Sequence, residues 1–246
     1  MSLEPCFWAR TDLPRGLRIH LGPTARSTHQ TPTHPPDFPQ AAADSPGIPT
    51  AISRDVLIAP FNDIETTSAI VEQHHNSLGC VIVEPLQRLV PPRAGFLADL
   101  RELTARYQIP LIFDEVVTGF GRLGHWFASE AVFGVVPDII TVAKGITSGY
   151  VPLGAVLISE RLIKEVGGEP DRGASFANGF TYSGHPVACA AALANLDVIE
   201  KGQMLENARE VGPYLQEKLR ELIDLPIVGD VRGLGLMGCL ECVVSK

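Results

Sequence analysis

The chain holds 246 residues, 45% of them hydrophobic, with a formal net charge of −8. That length and apolar content can bury a full core in one domain or slightly more. The acidic balance excludes a nucleic-acid or anionic-membrane partner held through a basic face, and no apolar run approaches the roughly 18 to 20 residues of a membrane span.

A cytoplasmic location is expected, because the N-terminal residues show no apolar signal core. Five cysteines, an odd number, read as reduced core thiols rather than a disulfide framework. Cys239-x-x-Cys242 has zinc spacing, but no second such pair or nearby histidine pair completes a site, so no metal is expected.

In chain order, residues 1–45 are expected to be irregular and remain unassigned. Met1 to Gln40 holds seven prolines, three histidines and four arginines without apolar periodicity, and such a segment buries too little to offset its ordering entropy. From Ile58 the pattern becomes regular. Asn62-Asp63-Ile64-Glu65 reads as a capped helix start, continuing through Ala69, Ile70 and Val71 toward His75. His74 and His75 are adjacent, so on a helix they point about 100° apart and cannot face one metal.

Cys80 to Pro85 reads as a buried strand with Glu84 at its carboxyl end. Phe96, Leu97, Leu100, Leu103 and Tyr107 then make one apolar helix stripe. That helix returns the chain to the Leu111-Ile112-Phe113 strand, a βαβ crossover and hence a parallel pair. After Asp114-Glu115 comes a long loop with Gly119, Gly121 and Gly124, in which Arg122 reads as structural or close to the site. Asp138 to Val142 is a further apolar strand running into Lys144, and Leu153 to Ser159 another, followed by a short helix from Arg161. Asp171 to Phe180 is a polar loop that delivers Thr181. His185 to Glu200 is an alanine-rich helix. Met204 to Leu222 is a longer amphipathic helix, expected to bend or break at Gly212-Pro213. Pro226 to Val244 reads as two short strands joined by glycine-rich turns.

Two charges stand out. Asp114 and Lys144 each follow an apolar run, and ligands of open parallel sheets sit where the loops leave the carboxyl ends of the strands. An acid and an amine at one such crevice suggest imine chemistry. The rival signal is Gly233-x-Gly235-x-x-Gly238, which matches the dinucleotide pattern. That pattern requires a helix N-terminus for the pyrophosphate, whereas a β-type run from Cys239 to Val244 follows, so the nicotinamide reading is rejected.

Asp114-Glu115-Val116-Val117-Thr118-Gly119-Phe120-Gly121-Arg122, then Ala143-Lys144-Gly145-Ile146-Thr147-Ser148-Gly149, then Phe180-Thr181-Tyr182-Ser183-Gly184-His185-Pro186 closely resemble the class III aminotransferases. The resemblance runs from about Ser45 to the last residue. It implies an α/β fold of the pyridoxal-phosphate-dependent transferase type I, with a mostly parallel sheet, incomplete at both ends. Residues 46–200 would form part of the coenzyme-binding large domain and residues 201–246 the start of the C-terminal small domain. It further implies pyridoxal 5'-phosphate as cofactor, a small-molecule amino donor, an oxo acid or aldehyde as acceptor, and a homodimer.

The roles follow from the same resemblance. Lys144 would form the Schiff base and move the proton. An unperturbed lysine near pKa 10.4 is a poor nucleophile, so burial or nearby cations are expected to depress it. Asp114 would hold the pyridine proton, a preference worth roughly 1.4 to 4 kcal/mol. Val116 would pack on the ring face if the strand continues past Asp114. Thr181 would reach the phosphate of the partner subunit's coenzyme. Gly145 would leave room for the cofactor, and Glu84 would stand beside the site. Val117 departs from members that carry glutamine there. The arginine that grips a substrate carboxylate in the family belongs to the small domain. Two alternatives stand beside transamination: an intramolecular mutase resembling glutamate-1-semialdehyde aminomutase, and a catalytically silent fragment.

Overall fold

Runs of Val, Ile and Leu that are buried on both faces settle as central strands, and the three- and four-residue stripes between them become crossover helices. In the computed structural model, which describes residues 17–22, 39–41, 47–167 and 179–246, this logic produces a six-stranded sheet. Its strands are β1 (Leu17–Gly22), β2 (Val56–Pro60), β3 (Leu78–Val83), β4 (Leu111–Asp114), β5 (Ile139–Val142) and β6 (Ala155–Ile158). They lie in the order β2-β1-β3-β4-β5-β6. All neighbours are parallel except β6, which runs antiparallel along β5 and forms one edge.

The helices are α1 (Thr50–Arg54), α2 (Ile64–His74), α3 (Phe96–Arg106), α4 (Ser129–Phe133), α5 (Glu160–Gly167), α6 (Pro186–Lys201) and α7 (Met204–Arg220). Asp63 starts α2 as expected, its Oδ1 accepting the Thr66 N–H at 3.0 Å and its Oδ2 the Thr66 hydroxyl at 2.7 Å. The α3 stripe buries Phe96, Leu97, Leu100 and Leu103 against Val81, Val83, Leu111 and Phe113, and this cluster is the main core. Each fully buried side chain of that kind contributes about 1.5–3 kcal/mol by leaving water. No helix among the described residues is long and apolar enough to cross a membrane.

The expectation that residues 1–45 hold no regular element is corrected at β1, which pairs in parallel with both β2 and β3. Leu17, Ile19 and Leu21 alternate with Arg18 and His20, a pattern too short to stand out, and both partner strands lie far along the chain. Non-local pairing, not local propensity, makes this strand. Gln40 adds an anchor, its amide donating to Ser53 O at 2.6 Å and Val56 O at 3.0 Å. Most of the expected polar loop Asp171–Phe180 lies outside the described residues.

The expected break at Gly212-Pro213 does not occur, since α7 runs unbroken from Met204 to Arg220 with Pro213 inside it. Its packing compensates for the lost backbone bond. A Cβ on Gly212 would stand 3.1 Å from the Gly235 Cα, so only glycine lets the helix approach there. Gln216 donates to Gly235 O and Met237 O, each at 2.9 Å. Those carbonyls belong to the antiparallel hairpin β7 (Val228–Leu234) and β8 (Met237–Cys242), a separate two-stranded sheet. Gly233-x-Gly235-x-x-Gly238 spans this hairpin's turn, with a strand after it and no helix.

Asp138 fixes the start of β5. Its Oδ2 accepts Arg101 Nη1 at 2.7 Å and the Leu111 N–H at 2.9 Å, and its Oδ1 accepts Arg161 Nη2 at 2.8 Å. Its backbone also pairs with Leu111 O and the Ser159 N–H, each at 2.9 Å. The carboxylate thus ties α3, β4 and α5 to the start of β5. Burial pushes this carboxyl up, but the Leu111 N–H and the two guanidiniums outweigh burial and hold it below its ordinary value. A depressed carboxyl stabilises the fold above its unfolded pKa, about 3.9, and loses that contribution as pH falls through the lower folded value. Asp138→Ala is expected to cost about 3 kcal/mol at pH 7 in urea unfolding. The gap between variant and parent should narrow as the pH falls below about 4.

Candidate active site

Three parallel strands deliver charged groups to one edge of the sheet. Val83 is in register with Phe113, and Asp114 with Thr141, so the chain leaves β3, β4 and β5 on the same side. Glu84 follows β3, Asp114 ends β4, and Lys144 lies just past β5. Glu84 feels the charges of both Asp114 and Lys144, which places all three in one electrostatic neighbourhood. Burial pushes the Glu84 carboxyl up and the Asp114 charge pushes it further; the Arg88 N–H, the Arg88 guanidinium and Lys144 act in the opposite sense without reversing it.

Asp114 is half-buried, and its Oδ1 accepts the Val116 N–H at 3.0 Å. This side-chain turn ends the strand at Asp114. The expectation for Val116 required the strand to continue, so the alternation that put it on the same side as Asp114 lapses. Val116 is half-buried within the turn and Val117 is exposed.

Glu115 takes an entirely different part from its neighbour. It is fully buried, and its carboxylate accepts the Ala128 N–H at 2.6 Å, the Ser129 N–H at 2.9 Å and the Thr118 hydroxyl at 3.1 Å. It therefore closes the glycine loop onto the start of α4. Within that loop Phe120 N–H donates to Trp126 O at 2.7 Å and Gly121 N–H to His125 O at 3.0 Å. Arg122 is structural, through its backbone: its carbonyl accepts the Leu236 N–H at 2.9 Å. The Asp-Glu pair carried the signal for Glu115, since adjacent positions on a strand face opposite ways.

Lys144 opens a 3₁₀ turn, Lys144–Thr147, with φ of +41°. It is exposed. A lysine in the left-handed region is a strained backbone position, and such positions gather at functional sites. At Gly145 a Cβ would stand 2.9 Å from the Phe120 Cβ and 3.1 Å from Gly119 O. Its role is to let the lysine turn pack on the glycine loop.

The turn is held from α6 by Asn195, a residue the sequence gave no reason to single out. Its Nδ2 donates to Gly145 O at 2.9 Å and Ile146 O at 3.1 Å, and its Oδ1 accepts the Ser148 hydroxyl at 2.6 Å. Thr181 lies in an exposed turn ahead of α6. Among the described residues no hydrogen bond joins it to Asp114 or Lys144. Cys189, Cys239 and Cys242 are free, the first two half-buried and the last exposed, and Cys80 is half-buried.

The family model for aminotransferase class-III matches residues 23–246. The chain belongs to the class-III aminotransferases. The match begins at residue 23 rather than near Ser45. An uncharacterized aminotransferase of Sinorhizobium fredii is 46% identical over 175 residues, which is 70% of this chain and 37% of that protein. The putrescine–pyruvate aminotransferase of Pseudomonas aeruginosa is 41% identical over 182 residues, covering 72% of this chain and 39% of that one. The chain therefore spans well under half the length of these curated relatives. An (S)-enantioselective ω-transaminase from Thermomicrobium roseum superposes with a TM-score of 0.71 at 40% identity, over 78% of this chain and 46% of that one. The α/β fold with its mostly parallel sheet is that of the pyridoxal-phosphate-dependent transaminases.

The contrast between the two adjacent carboxylates is testable. Glu115→Ala strips buried N–H groups of their acceptor and should lower stability by on the order of 3 kcal/mol. Asp114→Ala, at a half-buried edge, should cost well under half as much in the same thermal unfolding series.

Proposed function

We propose that this chain carries the coenzyme-attaching edge of a pyridoxal-phosphate-dependent aminotransferase, moving an amino group between an amine or amino acid and an oxo acid or aldehyde. One observation carries the reading: Asp114 and Lys144 leave adjacent parallel strands and share Glu84 as an electrostatic neighbour. That donor set fits the coenzyme. A carboxylate suits a protonated pyridine nitrogen, and an exposed primary amine suits an aldehyde. When bound, pyridoxal phosphate supplies an electron sink for the carbon that loses its proton.

The residues divide the work. Asp114, pre-oriented by the Val116 N–H, keeps the ring nitrogen protonated. Lys144 holds the coenzyme through Nζ and, once released, takes and returns the proton at the reacting carbon. Asn195 fixes the turn from which that amine reaches. Val116 stands next to Asp114 as the ring neighbour. Thr181 offers an exposed hydroxyl to a phosphate oxygen of a second copy's coenzyme, and exposed Phe180, Tyr182, Val187 and Leu193 give that copy apolar surface to cover in a homodimer. Residues 46–200, joined by β1, form part of the large domain in this reading. Residues 201–246 begin the small domain, which the separate β7–β8 sheet supports.

The relatives are transaminases, one of them named for putrescine and pyruvate, which favours intermolecular transfer over the aminomutase. Pyridoxal phosphate added to the purified chain should produce a visible absorbance band that Lys144→Ala lacks. Asp114→Asn should keep the band and lower amino-transfer turnover roughly 10- to 1,000-fold, the factor that 1 to 3 pKa units at the ring nitrogen represent. A band that persists in Lys144→Ala would remove the lysine from its role, and turnover unchanged in Asp114→Asn would do the same for the carboxylate.

A further inference from the structure

The glycine loop and α6 leave between them a cavity of about 270 Å³, lined by Phe120, Trp126, Phe127, Leu196, Asp197 and Glu200. Both of its walls also hold the lysine turn. A Cβ on Gly145 would stand 2.9 Å from the Phe120 Cβ, so the turn rests directly on that residue. Asn195, which precedes Leu196 on α6, donates to Gly145 O at 2.9 Å and Ile146 O at 3.1 Å. Neither Asp114, Glu84 nor Lys144 lines the cavity, which is therefore distinct from the edge where those groups collect.

The loop wall is aromatic and preformed. Phe120 packs edge-on against Trp126, with centroids 6.5 Å apart and planes at 81°, and against Phe127 at 5.7 Å and 67°. The Phe120 N–H donates to Trp126 O at 2.7 Å, which ties the two ends of the loop. All three rings are half-buried and lie outside the buried core clusters, so part of each is left to the cavity. The helix wall supplies charge of one sign. Asp197 and Glu200, three residues apart, share a face with Leu196 and are exposed. Asp197 Oδ2 pairs with Lys201 Nζ at 2.6 Å, whereas Glu200 makes no hydrogen bond or ion pair among the described residues. Both carboxylates stand near the end of α6 at Lys201, where the negative pole of the helix dipole adds to them. No lysine, arginine or histidine lines the cavity.

We propose that this cavity binds a small organic ammonium ion, at a site that stands whether or not the amino-transfer reading does. The faces of aromatic rings carry negative charge density and attract a cation within about 6 Å of the ring centroid, most strongly at tryptophan. Glu200 supplies the unpaired counter-charge, and Leu196 packs against the alkyl part. A small metal ion demands a shell of oxygen ligands that three rings cannot offer. A weakly hydrated ammonium carrying alkyl groups suits both walls. Once bound it touches Phe120 and α6 together, and so braces the turn that carries Lys144 against its two supports.

Choline serves as the probe, because its quaternary nitrogen cannot form an imine and its uncharged isostere, dimethylbutanol, has the same shape. Calorimetry on the purified chain should show choline binding, with the isostere roughly tenfold weaker or more. Trp126→Leu should weaken choline about three- to thirtyfold. Glu200→Gln should weaken it about two- to fivefold. Glu200 is exposed, so that variant should melt with the parent, which separates lost affinity from lost folding. Asp114→Asn, at the other edge, should bind choline as the parent does. Amide hydrogen exchange of the Lys144–Thr147 turn should slow when choline saturates the parent chain. No choline binding, equal binding of the isostere, or affinity unchanged in either Trp126→Leu or Glu200→Gln overturns the site. Affinity lost in Asp114→Asn moves the cation to the Asp114 edge and overturns it equally. Choline bound with exchange of the turn unchanged overturns the brace.

Discussion

Asp138 ties the first residue pairs of β4 and β5 to each other through the Leu111 N–H, while Arg101 and Arg161 neutralise the carboxylate from two different helices. Because the two strands are parallel, a register fixed at their starts is also fixed at their ends, where Asp114 sits opposite Thr141. A slip of one residue would turn every side chain of β5 to the other face of the sheet. The juxtaposition of an acid and an amine is thus set by a carboxylate at the far end of the same strands. In an antiparallel arrangement the two groups would leave the sheet on opposite edges.

Each functional group is then presented by a second, local device. The Val116 N–H stops β4 and orients Asp114, and Asn195 clamps the turn that carries Lys144. Glu115 fixes the loop between them by using its buried carboxylate as a backbone acceptor. Gly145 belongs to the same scheme, since any side chain there would collide with Phe120 and push the lysine turn off the loop. Charge at the edge is supported by satisfied backbone groups beneath it.

Much of this was legible in the amino-acid order. The β3-α3-β4 crossover could be read because its apolar run and helix stripe are strong local signals, and the Asp63 cap because the cap chemistry is local too. Asp114 and Lys144 could be placed at one edge from strand ends alone. What escaped depended on distant partners. β1 is made by pairing with strands much later in the chain, and Asn195 looks like any polar residue in an alanine-rich helix. The alternation argued for Val116 could not be read safely, because the Asp114 side chain captures its backbone N–H and ends the strand early. The contact of Gly145 with the neighbouring loop likewise depended on a partner distant in sequence.

The central claim is that Lys144, delivered beside Asp114 by parallel strands, is the attachment point for pyridoxal phosphate. Borohydride reduction of the coenzyme-loaded chain, followed by peptide mapping with mass spectrometry, tests it directly. The account predicts a stable pyridoxyl mass on the peptide containing Lys144, reduced sharply when Asn195 is replaced by leucine. A label confined to exposed lysines elsewhere, such as Lys201 or Lys218, would contradict it.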